Sequence, residues 1–309
     1  MTITRRDIVK GGLAAGATLM AAETQTASAQ TPKRLIVDAQ VHLWKAESPD
    51  WPWVPGLPPH LPEPFAIEKL VPLMDEAGVD HAVIVPPSWP GDRNDYGLEA
   101  AKRYPGRFAV MGRISLKNPQ SAALLPKWKE QPGMLGVRVT FLGENAPWIN
   151  DGTADWFWPA AEKAGIPVMF FAPGRVSLIG PIAEKHPGLP LIIDHMGLTA
   201  ALAKDGKLDA AIDQAVSVAK YPNVGIKMSA SPGVSQETYP FRDMTRHLKR
   251  VFDAYGPQRC YWGTDLTNTW AKGPYRQRVT HFTEELGFLS ESDKDWVMGK
   301  AILARLGWA

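Results

Sequence analysis

The chain predicts an α/β protein of the (β/α)8 barrel type, and three observations carry that reading. Eight short β-rich runs recur along its 309 residues. Segments with apolar residues at three- and four-residue spacing lie between them. Polar side chains gather at the C-terminal ends of the runs, where such barrels build their sites. A doubly wound open sheet is the competing arrangement, but no G-x-G-x-x-G follows the first run.

The first run is LIVDAQVHLW from Leu35. Strand side chains alternate, so Asp38, Gln40 and His42 are expected on one face, with Val37, Ala39, Val41 and Leu43 on the other. Three polar groups on a buried face need partners or a purpose. SPDWPWVPGLPPHLPEP, residues 48–64, follows directly and is too rich in proline for a helix or central strand. It reads either as a rigid surface loop or as a lid whose Trp51 and Trp53 wall the pocket, with His60 in reach of the same place.

The pattern then repeats. IEKLVPLMDEAG has helical spacing and stops at Gly78, and HAVIVPPS from His81 is the second run. YGLEAAKRY leads to RFAVMGRIS, which ends near Arg113, and GMLGVRVTF carries Arg138. ADWFWPAAEKAG precedes PVMFFAP, with Arg175 just beyond it. LIGPIAEKH precedes PLIIDHMG, which ends in Asp194 and His195. LDAAIDQAVSVAKY leads to VGIKMSA with Lys227 and Ser229, and FRDMTRHLKRVFDAYG leads to CYWGTD, which ends in Asp265.

These strand ends define a candidate site. An Asp has an ordinary pKa near ~3.9, so Asp265 is ionised at neutral pH and suited to accept a proton from water. The alternative is an Asp that bonds loop amides. His195 and His42 suit stabilisation of an oxyanion, directly or through a metal. Arg113, Arg138 and Lys227, with Arg175 as a further contact, imply an anionic substrate. For each Arg the other reading is an ion pair with a loop Asp or Glu. His81, His186, His247 and His281 fall at strand starts or in helical segments and read as structural.

The ends DAQVH, IIDHMG and WGTD resemble the amidohydrolase-related metal-dependent hydrolases, in particular the branch of dicarboxylate, sugar and muconolactone lactonases. MDEAGVDHAVIVPP, NDYGLEAAKRYPGRF, GVRVTF, AAEKAGIPVMF, AEKHPGLPLIIDHMG, YPNVGIKMSA and RCYWGTD follow in that branch's order. The resemblance implies a hydrolase that opens a cyclic ester of a carboxylated or sugar-derived organic acid, with Asp265 activating water; Gln40, at its strand end, and Trp51, in the loop after that strand, are expected near the substrate by position. Metal-holding members carry His-x-His on the first strand and a further His after the fifth. Here Gln40-Val41-His42 and Phe170-Phe171-Ala172-Pro173 stand at those places. His42, His195 and Asp265 remain as a three-ligand zinc site with an open position, or the enzyme works without metal. An aromatic-acid decarboxylase and a barrel that binds a small acid without turnover are the other readings.

The N-terminus predicts the compartment. Thr4-Arg5-Arg6-Asp7-Ile8-Val9-Lys10 has the twin-arginine form, Gly11 to Ala22 are mildly apolar, and Ala27-Ser28-Ala29 is a small-residue cleavage site. Residues 1–29 are expected to be a Tat signal peptide read by the Tat translocon, and 30–309 a single periplasmic domain. The alternative is a basic amphipathic helix that stays attached. No other stretch approaches the ~18 to 20 apolar residues of a membrane span. A net charge of +2 without a dense Lys/Arg block favours neither nucleic acid nor an anionic membrane surface. The single Cys260 excludes an intramolecular disulfide and reads as a buried small side chain.

Overall fold

Parallel strands follow one another around the sheet in chain order: β1 (Val37–Val41), β2 (His81–Ile84), β3 (Phe108–Gly112), β4 (Met134–Thr140), β5 (Val168–Phe171), β6 (Leu191–Ile193), β7 (Val224–Lys227) and β8 (Cys260–Tyr261). They belong to a computed structural model that describes residues 33–308. The expected leader over 1–29 lies outside the described residues. Backbone bonds close the ring, since Ala39 N–H donates to Trp262 O at 3.2 Å and Asp265 N–H to Gln40 O at 3.0 Å. All eight strands fall within the runs predicted from the sequence.

Alternation along these strands makes two apolar layers. Val37, Ala39, Val83, Val85, Met111, Met169, Ile192 and Tyr261 fill the interior, with Ala301, Ile302 and Leu306 of the final helix (Ala301–Leu306) packed against them. Ala82, Ile84, Val110, Val168, Leu191 and Ile226 face outward into a second layer shared with the helices. Fully burying an aliphatic side chain of this size contributes roughly 1.5–3 kcal/mol. The helix Ile67–Ala77 shows how spacing becomes packing: Ile67, Leu70, Met74 and Ala77 are its buried residues. It ends where Gly78 takes a left-handed φ of 77°, a conformation that glycine adopts at no steric cost.

Three features depart from expectation. Residues Pro119–Glu130, between β3 and β4, form 3-10 turns that begin at Pro119 and contain Pro126, whose missing N–H interrupts a regular α-helix. The chain after Tyr275 is largely helical, in short pieces that the sequence pattern did not single out. On β1, the pairing register shifts between Asp38 and Val41, which breaks the expected polar face. Val37 and Ala39 belong to the apolar interior layer, whereas the Asp38 carboxylate is not among the groups that line the cavity described below.

 That carboxylate instead accepts from Tyr275 Oη at 2.6 Å and from the backbone N–H groups of Thr264 at 2.9 Å and Gln40 at 3.0 Å. Asp38 therefore ties β1 to the chain after β8, and Gln40 and His42 continue toward the site without it.

The insertion over 48–64 has neither helix nor central strand, as its prolines require; its one bridge pairs Ser48 with Trp51. Cys260 is buried, as expected. Among the described residues no helix is long and apolar enough to cross a membrane.

Candidate active site

A cavity of about 430 Å³ opens at the C-terminal ends of the strands, and His42, His60, Trp89, Arg138, His195 and Asp265 are among its lining residues. Two of them sit on unusual backbone. Asp265, just beyond β8, has φ 50°, and His195, just beyond β6, has φ 55°. Non-glycine residues in this left-handed region carry a cost of roughly 1–3 kcal/mol and persist only where their surroundings hold them. Around Asp265 those constraints are its N–H bond to Gln40 and the turn in which Asn268 N–H donates to its carbonyl at 3.1 Å.

Asp265 is surrounded by imidazoles. Oδ1 lies 3.1 Å from His42 Nε2 and Oδ2 lies 3.6 Å from His195 Nε2. Asn268 Nδ2 donates to Oδ2 at 2.9 Å. Burial works against the charge of this carboxylate, but His195, His42 and His60 outweigh it and hold the group well below the usual carboxylate range. Asp265 is thus ionised at neutral pH. His195 moves the other way: burial lowers its pKa, with Asp265 and Asp194 opposing. Its Nδ1 pairs with Ser229 Oγ at 2.8 Å. With the serine hydroxyl donating there, Nε2–H is left as a neutral donor facing the cavity side of Asp265.

The placement of the His42 ring is set from further back. Lys227 Nζ donates to Gln40 Oε1 at 2.6 Å, which fixes the amide orientation and turns its NH2 toward His42 Nε2, 3.4 Å away. His42 Nδ1 lies 2.6 Å from Val85 O, to which it can only donate. With Nδ1 engaged there, Nε2 is the nitrogen that faces Asp265 Oδ1.

Behind this lies a buried ionic group. Asp194 is 2.8 Å from Lys227 Nζ and 3.0 Å from Arg138 Nε. Burial opposes charge on Asp194, but Lys227 and Arg138 outweigh it and keep the carboxyl below its ordinary range. Lys227 is pulled below its own ordinary range by burial, with Asp194 opposing.

The structure separates the expected substrate residues. Arg138 lines the cavity, bonds Thr140 Oγ1 through Nη1, and has its guanidinium 5.8 Å from the centre of the Phe171 ring. Lys227 and Gln40 are fully buried and do not line the cavity; they position His42 rather than meet substrate. Arg113 lies in an adjoining cavity of about 190 Å³ that shares Arg138 and Thr140 with the first, and Asp92 sits 3.4 Å from its Nε. Arg175 is exposed and outside the lining, because its turn carries it to the protein surface. Trp51 is also absent from the lining: it packs on Tyr96 at 5.9 Å between centroids, with Arg93 4.3 Å from its ring centre. It anchors the insertion, and Trp89, after β2, supplies the aromatic wall.

His60 joins the site from the insertion. Its ring lies 5.2 Å from His42 and 4.8 Å from Trp89 between centroids, and Nδ1 meets Thr267 Oγ1 at 3.0 Å. Burial, followed by the neighbouring His42, pushes its pKa down to about 4, so it is neutral at pH 7. Among the described residues, one set of three metal-ligating atoms lies mutually within 4.8 Å, and it comprises His42, His60 and Asp265. His195, expected as the third zinc ligand, is outside that set. Of the residues that sequence reasoning passed over, Asn268 had one signal, its place three residues after Asp265; Trp89 had none beyond following a strand.

A parallel eight-stranded barrel with a carboxylate after the last strand, facing imidazoles from the first and sixth, defines a barrel enzyme of the hydrolase class. The chain belongs to the amidohydrolase family, whose model matches residues 37–306. It is 26% identical over 237 residues to L-fucono-1,5-lactonase of Burkholderia ambifaria, covering 74% of this chain and 79% of that protein. It is 27% identical over 215 residues to 4-sulfomuconolactone hydrolase of Hydrogenophaga intermedia, covering 67% and 66%. An amidohydrolase from Burkholderia multivorans with zinc bound superposes with a TM-score of 0.74 at 19% identity, over 88% of this chain and 99% of that one. 5-Carboxyvanillate decarboxylase from Sphingomonas paucimobilis superposes with a TM-score of 0.58 at 17% identity, over 78% and 82%. At these identities the solved structures speak to the fold alone.

Proposed function

We propose that the protein hydrolyses a lactone of an organic acid that carries an anionic group, with Asp265 as the base. The observation that carries this reading is the ionised Asp265 carboxylate in the cavity wall, with His42 Nε2 and His195 Nε2 at 3.1 and 3.6 Å. The two lactone-opening relatives support the reaction type.

In this mechanism a water oxygen attacks the lactone carbonyl carbon as Asp265 takes one water proton. His195 Nε2–H donates to the carbonyl oxygen as it gains charge, and a preorganised donor of this kind is commonly worth ~100-fold or more in rate. Collapse breaks the ring C–O bond. Asp265 returns the proton to the leaving oxygen, and the product is the hydroxy acid. A depressed pKa makes Asp265 a weak base for the first transfer and a ready acid for the second. Arg138 Nη2, which no hydrogen bond engages among the described residues, is available to the substrate's anionic group. A divalent metal held by His42, His60 and Asp265 would supply Lewis-acid polarisation at this point.

A panel of lactones, neutral and carboxylated, assayed by acid release in a pH-stat tests the reading. Acid release with preference for the carboxylated members supports it. CO2 release from aromatic acids in place of lactone opening would establish a decarboxylase, and ligand-induced thermal shifts without turnover would establish a binding protein.

We also infer export through the Tat translocon to the periplasm, on the strength of Arg5-Arg6 and Ala27-Ser28-Ala29. Fractionation and N-terminal sequencing test it: a mature chain starting at Gln30 in the periplasm is expected, and a cytoplasmic chain retaining Arg5 and Arg6 contradicts it.

A further inference from the structure

We propose that His60 is a metal ligand delivered by the proline-rich insertion, so that His42, His60 and Asp265 hold one divalent transition metal, zinc by donor type, and its arrival fastens the insertion over the cavity.

The geometry comes first. A tetrahedral zinc with bonds of ~2.0–2.2 Å sets its donors roughly 3.3–3.6 Å apart. His42 Nε2 and Asp265 Oδ1, at 3.1 Å, already stand near that spacing. All three donor atoms lie within 4.8 Å of one another, so His60 has on the order of an ångström to travel. It is carried by a segment without helix or central strand. The donor set, two imidazoles and a carboxylate, suits zinc and leaves a fourth position toward the cavity for water.

The hydrogen bonding points the same way. His42 Nδ1 is engaged by Val85 O, and His60 Nδ1 by Thr267 Oγ1, so one nitrogen of each ring is held by a neighbour and Nε2 is the one without such a partner to bind metal. His42 Nε2 faces Asp265 Oδ1 at 3.1 Å, and no other donor reaches that oxygen among the described residues. At 3.1 Å these two atoms must have either an imidazole proton or a cation between them, and a bound metal takes the place of the proton. Gln40 is no substitute ligand, because Lys227 occupies its amide oxygen. Ring contacts with Trp89 and Trp44, at 4.8 and 6.4 Å between centroids, box the His60 side chain against the site.

The experiment reads metal, not turnover. Wild type, His60→Gln and His195→Gln are stripped with EDTA, checked for folding by thermal melting, and titrated with zinc chloride by calorimetry. Wild type is expected to bind one equivalent. His60→Gln should bind at least about tenfold more weakly, and His195→Gln within about threefold of wild type. Zinc should also protect residues 48–64 from limited proteolysis in wild type but not in His60→Gln. No zinc uptake by wild type, or equal affinity in His60→Gln, overturns the ligand assignment; proteolysis unchanged by zinc overturns the coupling to the insertion. No substrate is present, so failure here leaves the lactone reading standing, and absence of lactone turnover leaves the metal site standing.

Discussion

Lys227 Nζ donates a 2.6 Å hydrogen bond to Gln40 Oε1, and that contact supports the His42 side of the site from behind. It orients the amide, the amide faces His42, and His42 presents Nε2 to Asp265. Substituting Gln40 by Ala removes the link without touching the cavity lining. Loss of an orienting partner of this kind typically costs about 10- to 100-fold in activity. We expect kcat to fall by that amount with KM for the substrate nearly unchanged, measured in steady-state lactone assays.

Lys227 is a stability residue rather than a substrate residue. Removing one member of a buried ion pair leaves an uncompensated charge and costs about 3–5 kcal/mol. In Lys227→Met, Asp194 keeps Arg138 but loses its 2.8 Å partner, and denaturant unfolding should show a loss of that order. Selectivity between anionic and neutral lactones should be unaltered in the protein that remains folded.

Arg138 should behave differently, because it lines the cavity. Arg138→Met is expected to raise KM for carboxylated lactones by ~10-fold or more, the scale of one lost charge-assisted hydrogen bond, and to leave neutral lactones little affected. Arg113→Met should have the smaller effect, since Arg113 lies in the side cavity. Equal losses on both lactone classes would count against recognition of the anion by Arg138.

The fold was largely legible because alternation and helical spacing are local, and each strand run needed only its own residues to be read. Asp265, His42, His195 and Arg138 were legible for a similar reason: strand ends in a barrel converge. What could not be read was the choice among polar residues at those ends. Lys227 and Arg138 look alike in sequence, yet the buried Asp194 and Gln40 between them occupy Lys227, whereas Asp194 engages Arg138 only through Nε. The register shift on β1 beside Asp38 has no sequence mark, and His60 enters through a loop path that proline content alone does not specify.

Acid sensitivity should arise partly outside the site. Burial pushes His281 down to about 4, and its Nε2 has no hydrogen-bond partner among the described residues. The unfolded chain takes up a proton there below about pH 6.5 while the folded protein does not. Stability is therefore unaffected above that pH and declines as the pH falls toward 4, by on the order of 3 kcal/mol from this group. Urea unfolding of wild type and His281→Leu at pH 7 and pH 4.5 checks it: the variant should lose less stability between the two.

The central claim is that Asp265 moves the proton of the attacking water. Asp265→Asn keeps the size of the side chain and removes the base, and general bases contribute about 10²- to 10⁴-fold. Measured as kcat on a carboxylated lactone, with folding confirmed by the melting temperature, the variant should fall by at least a hundredfold. Activity within a few-fold of wild type would contradict the account.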